Sequence, residues 1–235
     1  MALTKHESRQ WLSCLSGAAT GAKPAEARLV WSVAADAEHW DRAYAGGDAN
    51  RSWYQSYAAV SVELIMGWAR DRAGSIIDVG GGASTLAGDL LALGYSDLTV
   101  LDISEQGLAI ARGRLQGRAS DVVWMVADIR SWPSSRRFAV WHDRAVLHFM
   151  TEPAALADYR TALLAATEPG SLAVVGVFGP DGPTSCSGHS VRRWTPAEIR
   201  DFLAPDFDVE HSQRHGHVTP SGAEQQFLWT VARRH

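Results

Sequence analysis

The chain has 235 residues and a formal net charge of −4, with 46% hydrophobic and 20% charged residues, a composition that suits one globular domain with a substantial core. No block of like charge appears, which argues against tight non-specific nucleic-acid binding, and no apolar run approaches membrane-spanning length. Two cysteines, Cys14 and Cys186, form neither a disulfide framework nor a zinc set, as expected of a protein in a reducing cytoplasm.

Residues 1–35 are Ala/Ser-rich, with two weak helical patterns split by Gly17 to Pro24. Ala37 to Tyr44 reads as a short helix, broken by Ala45-Gly46-Gly47-Asp48. From Tyr54 to Arg72, Val60, Leu64, Ile65 and Trp68 recur at helical spacing. Residues 1–72 are therefore expected to cap a core formed by 73–235, in one domain spanning 1–235. Strands are expected near 75–79, 97–102, 122–126, 138–142 and 171–178, alternating with helices near 84–93, 104–115 and 153–167. That alternation predicts a doubly wound α/β fold with a mostly parallel sheet. The stretch from Gly179 to Arg193 reads as irregular. Thr195-Pro196-Ala197-Glu198 then carries an N-cap, a first-turn proline and a third-position glutamate. Two last strands, near 207–213 and 225–232, are joined by a loop too short for a helix and should pair antiparallel. They bring the sheet to seven strands.

The most informative segment is the first strand with the turn after it. An apolar run ends in Asp78, then Gly80-Gly81-Gly82, Ser84 and an alanine-rich helix. Glycines there let a ligand approach the backbone, and the helix start offers unpaired N–H groups. The second strand closes on Asp102, where an acid suits the two hydroxyls of a ribose. This is the layout of a nucleoside-cofactor site. The dinucleotide fingerprint needs Gly or Ala at its third position, where this chain has Thr85, which disfavours a dehydrogenase.

The spacing D-x-G-x-G-x-S over Asp78, Gly80, Gly82 and Ser84 resembles the first motif of class I S-adenosylmethionine (SAM)-dependent methyltransferases. The expected antiparallel hairpin at the sheet's end is similar to that family too. The resemblance implies SAM as cofactor, with Asp78 near its methionine part. It implies that Asp128 accepts from the adenine amino group, that Ile129 offers its backbone N–H to the ring, and that Ile103 packs on the adenine face. Trp53 and Tyr54 would cover the methionine end, where a sulfonium over an aromatic face gains about 0.5–2 kcal/mol.

The fourth strand ends in a concentration of polar groups: His142, Asp143, Arg144 and, after Leu147, His148. Polar residues at an apolar strand end need a reason, and this is the face where donor meets acceptor in the family. His142, Asp143 and His148 are the expected catalytic residues, with either histidine able to remove a proton from an amine or phenol. Trp40-Asp41-Arg42-x-Tyr44, Trp53-Tyr54 and Trp141 to Val146 together resemble small bacterial enzymes of the thiopurine S-methyltransferase type. Those carry Asp-Arg-Gly-Ala in this strand. Here Ala145 replaces the glycine, which departs from that substrate class.

The resulting expectation is methyl transfer to a small-molecule acceptor, in secondary metabolism, through S, N, O or C. The alternatives are a protein-lysine methyltransferase and a non-catalytic SAM-binding module. Cys186 is read as a structural or acceptor-contact residue. His211, His215 and His217 lack a carboxylate or cysteine to complete a metal set, and no metal is expected. No nucleic-acid or membrane partner is expected, and the pattern leaves the oligomeric state open.

Overall fold

The computed structural model describes residues 36–69 and 71–235. The expectations for residues 1–35, including Cys14, lie outside them. The described chain opens with helix α1, residues 36–44. It continues through α2 (Ala59–Trp68), β1 (Ile76–Val79), α3 (Leu86–Ala92), β2 (Leu98–Asp102), α4 (Glu105–Leu115) and β3 (Val122–Val126). Then come β4 (Val140–Arg144), α5 (Pro153–Ala166), β5 (Leu172–Phe178), β6 (Ser185–Cys186) and β7 (His189–Ser190). Helix α6 (Pro196–Leu203) and the long strands β8 (Phe207–Val218) and β9 (Glu224–Arg234) complete it.

Seven strands form one sheet in the order β3-β2-β1-β4-β5-β9-β8. Strands β1 to β5 run parallel, and β9 and β8 antiparallel. Because helices cover both faces, β1, β2 and β5 are buried along their whole length, the usual state of central parallel strands. Side chains alternate between faces. Ile76, Val100 and Val174 pack with Val60 and Leu64 of α2 and Leu90 of α3. Ile77, Leu101 and Val175 pack on the other face with Tyr159 and Leu163 of α5 and Ile199 of α6. Thr195 caps α6 as expected: its Oγ1 accepts from the Glu198 N–H (3.2 Å), while Glu198 accepts from the Thr195 N–H (2.8 Å).

The strand order reverses between β1 and β4, which opens a crevice at their C-terminal ends. Three local differences from the sequence-based expectation shape that crevice. Helix α2 starts at Ala59 rather than near Tyr54, because the Ala58 N–H donates to Asp89 Oδ2 (2.9 Å) and fixes the entry there. Trp53 and Tyr54 are thereby left in turns over the crevice. Strand β4 starts at Val140 rather than 138, because the Phe138 N–H donates to the Ala166 carbonyl at the end of α5 (2.8 Å) instead of to a strand. Pairing with β5 carries the strand two residues further, with Arg144 opposite Gly176, so that His142, Asp143 and Arg144 lie within it. The stretch expected to be irregular contains the hairpin β6–β7, with Cys186 paired to His189. Its two-residue turn, Ser187-Gly188, has positive φ at both positions (49° and 84°), as tight hairpins of this twist require.

Candidate active site

A cavity of about 420 Å³ occupies the crevice, within the range of small-ligand sites. Its floor is the glycine turn after β1. Gly80 and Gly82 have φ of +68° and +45°. A Cβ on Gly80 would run into Val146, and one on Gly82 into the Tyr44 hydroxyl. The N–H groups of Gly80 and Gly81 both donate to the Leu101 carbonyl (2.7 and 3.2 Å), which ties the turn to β2.

Asp78 lies in direct register with His142 across the β1–β4 pair. Its Oδ1 meets His142 Nδ1 at 2.7 Å, and His142 Nε2 meets Ser61 Oγ at 2.9 Å. Both ring nitrogens are thus engaged, and His142 is 2% exposed. Asp78 Oδ2 is buried and has no hydrogen-bond partner among the described residues. Two residues on, the same face of β4 presents Arg144. Its Nη1 donates to the Trp53 carbonyl (3.0 Å) and its plane lies 4.9 Å from the Phe227 ring centre. Its Nη2 is buried without a partner among the described residues. Burial pulls its pKa down to about 10, against the opposing pull of Cys186, Asp78 and Tyr44.

Strand alternation sends Asp143 to the opposite face. There it accepts from the N–H groups of Val146 (2.8 Å) and Leu147 (2.9 Å) and from the Tyr159 hydroxyl (2.6 Å). Burial pushes its carboxyl up to about 6, offset in part by those three donors. Asp143 does not line the cavity, and neither does His148. His148 is fully buried, both its ring nitrogens lack partners among the described residues, and burial next to Arg144 drives its pKa down to about 3. Of the three residues expected to be catalytic, only His142 reaches the cavity, and it is held on both sides.

The residues expected at a cofactor line the cavity together: Trp53, Tyr54, Gly80, Ser84, Asp102, Ile103, Asp128 and Ile129 are all in its wall. Ser84 also accepts the Leu86 N–H (3.1 Å) at the start of α3. Asp102 accepts from the Ser104 N–H (2.7 Å). Burial raises its carboxyl to about 7, with Asp78 and Asp41 adding to the rise and the Ser104 and Gly82 N–H groups opposing it. Asp128 is clamped by Arg130, whose backbone N–H (2.8 Å), Nε (2.9 Å) and Nη2 (2.5 Å) all donate to it. A carboxylate has about four acceptor sites, so room for one further donor remains.

Sequence reasoning expected residues 1–72 to cap the core but named none of the bonds that fasten the roof. Arg130 also donates to Asp36 of α1 (2.8 Å). Asp41 of α1 accepts from Ser104 Oγ (2.7 Å) and the Gln106 N–H (3.2 Å). Arg114 of α4 donates to Asp48 and to the Ala83 carbonyl. The bonds to Asp36 and Asp41 hold α1 over the strand ends, where Tyr44 meets the glycine turn and Trp40 lines the cavity, and Arg114 holds the segment just after the helix. Signals did exist: Ser187-Gly188 is a hairpin dipeptide, and Trp40 opens the Trp-Asp-Arg-x-Tyr pattern. Cys186 lines the same cavity, and burial pushes its thiol up to about 11, against the pull of Arg144. A neutral, buried thiol is a poor nucleophile. Of the tail histidines, His217 meets the Ser52 carbonyl through Nε2 (2.7 Å) and His211 tilts against Trp68.

Residues 76–170 match the family model of a methyltransferase domain. No curated protein sequence matches the chain. Among similar solved structures is the Burkholderia thailandensis 1,6-didemethyltoxoflavin-N1-methyltransferase with bound 1,6-didemethyltoxoflavin and S-adenosylhomocysteine. It has a TM-score of 0.67 and 22% identity, over 93% of this chain and 93% of that one. A structure solved in work on converting a disulfide bond into a thioacetal group during echinomycin biosynthesis gives 0.69 and 23%, over 84% and 92%. The glycopeptide N-methyltransferase MtfA complexed with sinefungin gives 0.60 and 15%, over 79% and 96%. These likenesses establish the fold, a seven-stranded methyltransferase sheet. The matched stretch runs from β1 through α5, the part of the sheet that carries the glycine turn. The matched domain makes the chain a methyltransferase.

Proposed function

We propose that the enzyme methylates a small molecule held in this cavity, beneath α1 and the β6–β7 hairpin. The observation that carries the reading is the roof. Bonds from Arg130 and Ser104 strap α1 across the strand ends, one from Arg114 holds Asp48 just beyond it, and the space enclosed is about 420 Å³. That suits a compact acceptor better than a peptide lysine, which needs an open groove. The named neighbours act on a toxoflavin precursor or a glycopeptide, or come from echinomycin biosynthesis, which favours an acceptor from specialised metabolism.

The residues present fit SAM. Asp78 Oδ2 is a buried acceptor with no partner among the described residues, at a turn where only glycine backbone fits; it would hold the α-ammonium group. Arg144 Nη2, an unpartnered donor on the adjacent strand, would answer the carboxylate. Asp102 would take the ribose hydroxyls, Asp128 and the Ile129 N–H the adenine edge, and Ile103 its face. Gly80, Gly82 and Ser84 would pass beneath the methionine part, and Trp53 and Tyr54 would lie over it. When bound, SAM supplies a methyl group on a sulfonium, ready for in-line displacement. The chain's own contribution is placement and exclusion of water. Positioning of this kind supplies roughly 7–11 kcal/mol when donor and acceptor are held in near-attack geometry. His142, locked between Asp78 and Ser61, then serves as a positioning residue for Asp78. Asp143 and His148 shape the loop after β4.

Calorimetric titration with SAM and S-adenosylhomocysteine, with NAD as control, tests the reading. Binding of both, lost in Asp78→Asn, is expected. Binding of NAD alone would overturn it.

A further inference from the structure

His142 spends both ring nitrogens on Asp78 and Ser61, and His148 lies outside the cavity. One other imidazole lines the cavity with bonding capacity to spare. His189, on β7, has a buried Nε2 with no partner among the described residues. It stands in an aromatic wall. The Trp40 ring lies 6.1 Å from it at an interplanar angle of 29°, and Phe149 lies 6.2 Å away at 87°. Trp40 in turn meets Phe149 at 5.3 Å and Trp53 at 5.9 Å, both edge to face. All four residues line the cavity, yet each stays only partly buried. The rings therefore brace one another, mostly edge to face, and keep free surface on the cavity side. A wall of this kind selects flat, polarisable ligands, because offset stacking needs a matching ring face. The wall stands beside the glycine turn rather than on it, since it is carried by α1, the loop before α2, the turn after β4 and the hairpin.

We propose that the methyl acceptor is a planar heteroaromatic or phenolic ring stacked on Trp40, with Trp53 and Phe149 meeting it edge to face, and that His189 Nε2 takes its N–H or O–H proton as the methyl arrives. The inference rests on the reading that SAM occupies the glycine-turn side. The step balances. The sulfur–methyl bond breaks and leaves its electron pair on sulfur, giving the thioether. A lone pair of the acceptor's nitrogen or oxygen forms the new bond to carbon. The acceptor's proton moves to Nε2 of the Nδ1–H tautomer and leaves to water when product departs. Cys186, paired to His189 across the hairpin, keeps its thiol neutral and packs at the acceptor's edge.

The test uses paired probes: 8-hydroxyquinoline and xanthine against decahydroquinoline and cyclohexanol. Binding is read by calorimetry on protein saturated with S-adenosylhomocysteine, and methylated product by mass spectrometry with SAM. The flat probes are expected to bind at least about tenfold tighter than the saturated ones, and Trp40→Ala should erase that preference. His189→Ala should lower kcat by about 10²- to 10⁴-fold, the usual weight of a general base, with SAM affinity kept and added imidazole restoring part of the rate. Equal binding of flat and saturated rings, or failure of every flat probe on a protein that binds SAM, overturns the proposed acceptor class. Unchanged kcat in His189→Ala, or a loss that imidazole does not restore, overturns the base role. Absence of SAM binding by the wild type would instead sink the reading beneath the proposal.

Discussion

The buried acid Asp102 makes cofactor affinity depend on pH in a calculable way. Its carboxyl titrates at about 7 instead of 3.8, chiefly because burial penalises the charged form. Ribose hydroxyls donate hydrogen bonds and so select the carboxylate. The sign is then fixed: below pH 7 the free protein is protonated, SAM must displace that proton, and affinity falls. For a single group the apparent Kd scales as 1 + 10^(pKa − pH). Between pH 8 and pH 5.5 that factor grows about 30-fold, or about 2 kcal/mol. Calorimetry across that range gives the slope. Repeating it near pH 6.5 in buffers of different ionisation enthalpy should show about three-quarters of a proton released per SAM bound. Asp102→Asn is expected to bind SAM more weakly at pH 8 and to lose the slope. A flat profile in the wild type, or an unchanged slope in Asp102→Asn, would refute the assignment of Asp102 to the ribose.

Four further outcomes are expected. Ser61→Ala leaves His142 Nε2 without its partner at 2.9 Å; it should cost about 1–3 kcal/mol of stability in urea denaturation and weaken SAM binding through Asp78. Tyr159→Phe removes a donor to Asp143 and the acceptor of the Trp141 Nε1–H; a loss of about 1–3 kcal/mol should leave SAM affinity unchanged, because Asp143 faces away from the cavity. Gly82→Ala has no room beside Tyr44 and should abolish SAM binding, with Tyr44→Ala in the same chain restoring part of it. The Cys186 thiol, held near 11 by burial, should resist iodoacetamide at pH 8, as peptide mass mapping would show; rapid alkylation would mean that the hairpin opens.

What the sequence made legible was whatever repeats as a period or a punctuation mark. Alternation of apolar runs gave the strands and helices of the sheet, and Thr195 to Glu198 gave the start of α6. The glycine turn, Asp102 and Asp128 were legible because each sits at a strand end, where the fold itself delivers residues to the crevice. The catalytic expectations turned on where β4 ends, and its expected bounds were two residues out. Beginning β4 at 138 would put His142 at the strand's last position. Beginning it at Val140 puts His142, Asp143 and Arg144 inside the strand, where a period of two parts them. His142 and Arg144 share the cavity wall, and Asp143 joins Tyr159 behind it. Nothing in the local sequence fixes that shift: the start is set by the bond from Phe138 to the distant end of α5, and the far end by pairing with β5, where Arg144 stands opposite Gly176.

The departure from the thiopurine-type pattern has a related reading. Where that pattern has glycine, Ala145 adopts φ of 75°, the left-handed region that glycine enters without strain. The backbone turn is thus retained while its usual residue is not. Its N–H still donates to the Gly176 carbonyl (2.8 Å), and the two N–H groups beyond it still bind Asp143. Asp143 and β5 together hold Ala145 in a conformation it would otherwise leave. Ala145→Gly should therefore stabilise the fold by about 0.5–1 kcal/mol, the relief of left-handed strain exceeding the added chain entropy of glycine. Destabilisation in urea instead would mean that the alanine methyl, in the cavity wall, packs well enough to outweigh the strain. The substitution of alanine for glycine would then be a matter of acceptor shape rather than of backbone tolerance.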